Sequence, residues 1–411
     1  MISLNLKNFV GSSQEKILQR QAILIDYLKR RKFMHKKDGG SGTTDQLDFS
    51  NFFKINKIDV KQAEQKNCEN LLGSVEIPVG VAGPASVQMT IDGGEPFQQE
   101  LFIPLATTEG ALVASVARGM KALSKTKPTR VFVEKIGMTR APVFGFLNHF
   151  EAKEFVDWIE NKGGLKKIKQ VCEKTSQHLK LKDCHAWVVG RAVYARFVFD
   201  TDQAMGMNMV TLALGQAWKE VISSYPNIEL ISLSGNMCVD KKTSAINRLL
   251  GRGYSVQAEV LLNKKILQSV LKVGVQDFYK TYYWKNVVGS NLAGADSLNM
   301  HAANMVAGLF LATGQDMAHV VECSQASLLV EQKPNNSLYV ALNMPNVNVG
   351  VVGGGSGLTP FQQARKLIFG REIRAEELAG VVAVAVLSGE LSGLAALATQ
   401  SLACAHQKLA R

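Results

Sequence analysis

Val143-Phe144-Gly145-Phe146-Leu147-Asn148-His149-Phe150 opens the segment that decides the fold, and Ile228-Glu229-Leu230-Ile231-Ser232 closes it. The first run is strand-like and follows a shift in composition at Pro142. Ala152 to Leu181 is charged and has helical spacing. His185 to Phe199 returns to a strand pattern, Gln203 to Ser224 is helical, and Ile228 to Ser232 is a last short strand. This alternation forms one supersecondary module of roughly ninety residues.

The flanks read differently. Leu71 to Pro84 is a strand and turn rich in Gly and Pro. Ser86 to Thr90 and Gln98 to Ile103 read as strands around the turn Asp92-Gly93-Gly94. Thr107 or Thr108 is placed to cap a helix from Glu109 to about Leu123. From residue 233 the chain becomes Gly/Ala-rich and helical, with a strand near Val347 to Val352 and small-residue helices from Pro360 onward. Residues 14 to 33 have helical periodicity and lead into a Gly/Ser/Thr/Asp-rich connector from Lys37 to Ser50. The predicted fold class is α+β. A large mixed α/β domain (68–141 and 233–411) carries an inserted small ferredoxin-like domain (142–232), and a helical N-terminal region (1–67) precedes both.

At 411 residues, 46% hydrophobic and 20% charged, the chain has the composition of an ordinary globular protein with ample core. A net charge of +12 favours anionic partners. The basic blocks at Lys29 to Lys37 and Lys162 to Lys169 lack interleaved aromatics, and no groove-reading motif is present, so nucleic acid is not the expected partner. The six cysteines form no C-x-x-C pair, which points to free thiols in a reducing, cytoplasmic setting and to no metal site. The start lacks a signal-peptide layout. The longest apolar run, Leu378 to Gly389, is interrupted at Glu390 and reads as too short for a membrane anchor.

Several polar residues stand out for their surroundings. Asp240-Lys241-Lys242 follows the small, polar run from Ser234 through Asn236, where a lysine can stabilise an oxyanion or pair with a substrate carboxylate. Glu109 stands at the predicted helix start, suited to proton donation if its surroundings raise its pKa. Asp316 follows a long apolar run and needs a cation, for which Lys241 is the natural candidate. Arg140 can fork onto a carboxylate or phosphate. Met205, Gly206, Met207 and Asn208 place a glycine and flexible thioethers at a helix start, suited to a flat ligand or diphosphate. Gly353-Gly354-Gly355-Ser356-Gly357 is not a dinucleotide fingerprint, since the third glycine of G-x-G-x-x-G would fall on Leu358. A tight loop that lets backbone approach a ligand or another subunit fits it better.

Together these segments resemble the catalytic portion of 3-hydroxy-3-methylglutaryl-CoA reductases of the class typical of eukaryotes and archaea. The resemblance runs from about Asn67 to His406. It is carried by Glu69 to Gly73, Ile77 to Pro84, Thr107-Thr108-Glu109-Gly110, Gly137 to Arg140, Ala204 to Met209, Ser234 to Lys242, Gly251-Arg252-Gly253, Gly289 to Gly294, His301 to Asn304, Gly314-Gln315-Asp316 and Gly353 to Gly355. It implies reduction of the thioester to mevalonate and free CoA by two hydrides from NADPH, with NADH possible. By the family's roles Lys241 holds the oxyanion, Glu109 supplies a proton, Asp316 ties the two into one hydrogen-bonded set, and His406 protonates the departing thiolate. Arg140, Ser234, Asn236, Asp240, Lys242 and Asn304 match substrate-binding positions in the large domain. Met205, Gly206, Met207 and Asn208 match cofactor-binding positions in the small one. A homodimer or homotetramer with shared active sites is implied. Gln203 stands where the family usually has Asp, and Gln177 where Arg often meets the cofactor's extra phosphate; Lys180 and Lys182 are the nearby substitutes.

Overall fold

The computed structural model describes residues 75–401 apart from 127, together with 19, 22–23, 25–27, 66 and 67. Most of the expected N-terminal helical region, the Glu69–Gly73 motif and His406 lie outside the described residues. The fold is mixed α+β around a large, mostly antiparallel sheet.

β1 (Val79–Ile91) and β2 (Phe97–Ala106) form the expected hairpin around Asp92 and Gly93. β3 (Thr129–Arg140) pairs parallel to β1 and then antiparallel to β8 (Gly253–Leu262). β8 pairs with β10 (Ser337–Val347), and β10 with β9 (Ser327–Lys333). The expectation of a helical stretch after residue 233 with one strand near Val347–Val352 is therefore corrected. Tyr254, Val256, Ala258, Val260 and Leu262 alternate into the core with period two, and β10 ends where the expected strand begins. Val347 to Val352 instead leads into a loop bound to Gln203 and Ala204.

β3 joins two sheets. Gly137 has φ +120°, and a Cβ there would lie 2.7 Å from the Phe199 carbonyl oxygen. Only glycine fits that passage. Beyond it, Met138 to Arg140 pair with β6 (Ala192–Asp200). The second sheet also holds β4 (Val143–Gly145), β5 (Lys180–Val189) and β7 (Glu229–Ser232), in the order β7-β4-β6-β5 with neighbours antiparallel.

Helix α1 (Leu112–Ser124) belongs to the larger layer. α2 (His149–Glu160) and α3 (Gly164–Lys174) cross from β4 to β5, and α4 (Met207–Glu220) crosses from β6 to β7. Each crossover skips one strand, the split β-α-β arrangement. The single helix expected over 152–181 is broken at Gly163 (φ +80°), and the strand expected over 185–199 is a hairpin turning at Gly190 (φ +60°). This layer has its own core, built around Phe144, Phe155, Phe197 and Phe199.

The larger layer adds α5 (Ala245–Leu250), α6 (Val275–Tyr282), α7 (Ala302–Thr313), α8 (Thr359–Phe369) and α9 (Ala375–Ala398). At 24 residues α9 is long and apolar enough to cross a membrane, but 89% of its most apolar window is buried within the chain, so it is the central core helix. Glu390 does not interrupt it. Its carboxylate is buried and accepts the backbone N–H groups of Met300 at 2.7 Å and His301 at 2.9 Å, anchoring the start of α7. α1 crosses α9 so closely that a Cβ on Gly119 would sit 1.9 Å from the Ser388 carbonyl oxygen. Because backbone has to move to relieve that contact, Gly119→Ala is expected to lower unfolding stability by about 3 kcal/mol, measured as a fall in the denaturant midpoint.

Candidate active site

The loop Ser234–Lys242 leaves β7 and is held in an unusual shape. Asn236, Val239 and Lys241 have φ of +61°, +42° and +59°. Such conformations persist in non-glycine residues only when the surroundings impose them. Here they do. Asn247 on α5 donates to the Val239 carbonyl at 2.9 Å, and Thr139 donates to the Cys238 carbonyl at 3.1 Å. The Lys241 backbone N–H reaches the buried carboxylate of Glu322 at 3.2 Å.

Lys241 Nζ is 2.8 Å from Asp316 Oδ2, the pairing expected from the sequence. Asp316 also accepts the Ala318 N–H at 3.0 Å, which fixes the carboxylate after the end of α7. Partial burial raises its pKa, but the Lys241 ammonium, the Ala318 N–H and the nearby His319 outweigh this and hold it below the ordinary carboxylate value. Both members are partly open to solvent in the single chain.

Beneath this pair lies a buried charge cluster that sequence reasoning missed. Arg252, fully buried at the start of β8, donates to Glu322 at 2.6 Å, to Asp240 at 2.9 Å and to the Thr139 hydroxyl at 3.0 Å. Its Nη2 also lies 2.8 Å from Met207 Sδ. Arg252 thus touches the Ser234–Lys242 loop through Asp240 and the start of α4 through Met207. His319, also fully buried, places Nδ1 2.5 Å from Glu322 Oε1. Asp240, His319 and Glu322 have ligand atoms within 4.8 Å of one another, but the guanidinium already occupies the cationic place on both carboxylates. The Gly251-Arg252-Gly253 motif was the available signal, though nothing in it says which acids the arginine meets.

Glu109 lies elsewhere. The helix begins at Leu112 rather than at Glu109, because Ala111 takes φ +72°. Thr107 does not cap it; its hydroxyl accepts the Glu109 N–H at 2.9 Å and shapes the loop ahead of it. Glu109 then accepts from Asn304 Nδ2 at 2.8 Å. Asn304 is in the first turn of α7 and Asp316 lies past its last, with about 14 Å of helix axis between Asn304 and the final residue, Thr313. Within one chain Lys241 thus pairs with Asp316, and Glu109 with Asn304 rather than with either of them.

The other candidates are more dispersed. Ser234 Oγ lies 3.5 Å from Cys238 Sγ, and Lys242 Nζ donates to the Asp240 carbonyl at 3.2 Å. Arg140 ends β3 with its buried Nε unpartnered. Gly206 (φ +94°) is the N-cap of α4, where a Cβ would strike the Thr201 side chain at 2.3 Å. No side chain caps that helix start, so its N–H groups remain available to an anion. The glycine loop packs on the chain itself: a Cβ on Gly350 would lie 2.4 Å from Met205 N, and the Val351 N–H donates to the Gln203 carbonyl at 2.9 Å. Buried Arg365 secures this loop through the Ser356 and Thr313 carbonyls.

A family profile described as hydroxymethylglutaryl-coenzyme A reductase matches residues 26–411. The chain belongs to that family. It is 41% identical over 361 residues to the 3-hydroxy-3-methylglutaryl-coenzyme A reductase of Pyrococcus abyssi, covering 86% of this chain and 87% of that protein. It is 40% identical over 389 residues to that of Methanocaldococcus jannaschii, covering 93% and 92%. The Drosophila melanogaster reductase is 41% identical over 378 residues, which span 39% of its length. Among solved structures, a class II reductase from Streptococcus pneumoniae bound to NADPH superposes with a TM-score of 0.66 at 18% identity, covering 94% of this chain and 97% of that one, a likeness of fold.

Within this reductase family's frame, one departure acquires a physical role. Gln203 accepts the Ala375 N–H at 2.8 Å and donates to Glu376 at 3.0 Å, tying the smaller layer to the start of α9. Lys182 is committed to the carbonyls of Lys135 and Ile136 at 2.8 and 3.1 Å. One of the two amines expected to stand in for an arginine is thus engaged with backbone.

Proposed function

We infer that the Lys241–Asp316 pair is the centre at which this chain reduces 3-hydroxy-3-methylglutaryl-CoA to mevalonate and CoA. The thioester carbonyl gains negative charge as the first hydride arrives, and the Lys241 ammonium faces that oxygen. Asp316 holds the ammonium in place. The C–S bond then breaks, and His406 is the proposed proton donor to the thiolate. The aldehyde so formed is polarised again by Lys241, and a proton from Glu109 completes the primary alcohol after the second hydride. Arg140, Ser234, Asp240 and Lys242 are the proposed holders of the substrate's carboxylate and hydroxyl, Asn236 is a further proposed substrate contact, and Asn304, bound to Glu109, is proposed to stand near the reacting centre. An open cavity of about 600 Å³ beside the loop, lined by Thr243, Val287, Asn291 and Asp296, offers room for the CoA carrier.

The nicotinamide cofactor supplies one hydride in each half-reaction. Met205, Gly206, Met207 and Asn208 suit its binding, because Gly206 leaves no side chain in the way and the open start of α4 offers N–H groups to a diphosphate. The smaller layer, with its split β-α-β order, is the proposed inserted ferredoxin-like cofactor domain. NADPH is the proposed donor, and Lys180 is the amine near Gln177 left for its extra phosphate.

The observation that carries this reading is the salt bridge Lys241–Asp316 seated on the Arg252–Glu322 cluster. The separation of Glu109 from that pair supports a site shared by two copies, each supplying what the other lacks. The purified chain is expected to oxidise NADPH when given the CoA thioester, with two cofactors consumed per mevalonate. Glu109→Gln and Lys241→Ala are each expected to be nearly inactive, whereas mixing them regains up to about a quarter of wild-type turnover. Absence of thioester-dependent oxidation refutes the activity, and absence of complementation refutes the shared site.

A further inference from the structure

His319 has both ring nitrogens turned toward carboxylates. Nδ1 lies 2.5 Å from Glu322 Oε1. Nε2 is 3.6 Å from Asp316 Oδ2 and 3.7 Å from Asp240 Oδ1, has no hydrogen-bond partner, and is fully buried. An imidazolium fits this arrangement better than either neutral tautomer. With the proton on Nδ1, the Nε2 lone pair points at two carboxylate oxygens. With the proton on Nε2, the Nδ1 lone pair faces Glu322 at hydrogen-bond distance. Only the imidazolium presents a donor on each side.

The position of Nε2 matters because of what Asp316 does. Asp316 Oδ2 is occupied by Lys241 Nζ at 2.8 Å, and Oδ1 by the Ala318 N–H. When Lys241 swings toward a developing oxyanion, Oδ2 loses its donor. His319 Nε2–H stands 0.8 Å farther away than the ammonium (3.6 against 2.8 Å) and is the nearest charged donor held ready to replace it. Glu322 links the two events, since the carboxylate that orients the imidazole also holds the Lys241 backbone N–H and the Arg252 guanidinium. The charged groups facing His319 are Asp316 before it, Glu322 after it, Asp240 and Lys241 from the loop, and Arg252 just ahead of β8.

We propose that His319 is a positioning residue for the reduction, an imidazolium that takes over Asp316 whenever Lys241 turns to the substrate oxygen. The proposal rests on the activity inferred above. Without His319, Lys241 must leave behind a carboxylate held only by the Ala318 N–H and is held back in its resting pair. The effect therefore falls on kcat rather than on substrate capture.

The test uses the full-length enzyme. His319→Leu is expected to lower kcat about 30-fold with KM within threefold of wild type, the size of one lost charge-assisted hydrogen bond in the transition state. His319→Gln keeps an N–H donor for Asp316 and is expected to recover to within about fivefold of wild type. Nitrogen NMR of histidine-labelled wild-type protein is expected to show both His319 nitrogens protonated at neutral pH. A kcat for His319→Leu within threefold of wild type overturns the proposal, as does a His319→Gln variant no better than His319→Leu. A neutral ring in the NMR spectrum also overturns it. If His319→Leu does not fold, His319→Gln and the spectrum decide. Wild-type protein without turnover would count against the inferred activity, while the spectrum would still report on the imidazolium.

Discussion

Lys241→Ala is expected to cut thioester reduction by about a thousandfold, the upper range for loss of one preorganised donor to an oxyanion. The protein should stay folded. Lys241 and Asp316 are both partly solvent-exposed, and such a pair contributes little to stability. Alanine also accepts the same backbone shape, since Lys241 already sits at φ +59° under constraint from Glu322. Turnover and thermal unfolding measured on the same preparation check this; a variant within tenfold of wild type would remove Lys241 from the chemistry. The pH dependence has a definite sign. Asp316 has a depressed pKa in the folded chain, so its pairing is fully present above the ordinary carboxylate pKa of about 3.9 and is lost only as pH falls through the lower folded value. Any inflection in the rate between about pH 5 and 8 must then come from another group.

Arg252→Met is expected to destabilise the chain by about 3–5 kcal/mol, the largest stability effect anticipated. The guanidinium has no exposed surface and neutralises Glu322, itself fully buried, while also binding Asp240. Methionine fills much of the volume but leaves the Glu322 carboxylate without its strongest cation. It also releases Asp240, so the loop carrying Lys241 loses a tether. Equilibrium denaturation should show the loss directly. Arg252→Met combined with Glu322→Gln should recover part of it, because the acid that needed the cation is gone. A single variant within 1 kcal/mol of wild type would mean that the cluster is not holding the loop.

Much of the site was legible in the sequence because its chemistry is concentrated in short runs. Asp240-Lys241-Lys242 and Gly314-Gln315-Asp316 each announce an unusual charge among small residues, and the structure joins Lys241 to Asp316 as anticipated. Helix starts were less legible. Ala111 takes a left-handed backbone shape that no local propensity predicts, and this moves Glu109 off the helix and onto Asn304. β8 carried a clear period-two pattern beneath a Gly/Ala-rich composition. α9 looked broken at Glu390 because a buried carboxylate is costly until its donors, Met300 and His301, are brought to it from ninety residues away.

The sequence by itself determined the family, the smaller layer's strands and helices in outline, and the pairing of Lys241 with Asp316. Those properties reside in residue types and in spacings of a few positions. Only the tertiary structure decided that Arg252, Glu322 and His319 form the floor of the site, and that Glu109 stands apart from Lys241 within one chain. Arg252 and Glu322 are 70 residues apart. A buried charge is tolerable only next to its partners, and the packing of the sheets, not the order of the residues, brings those partners together.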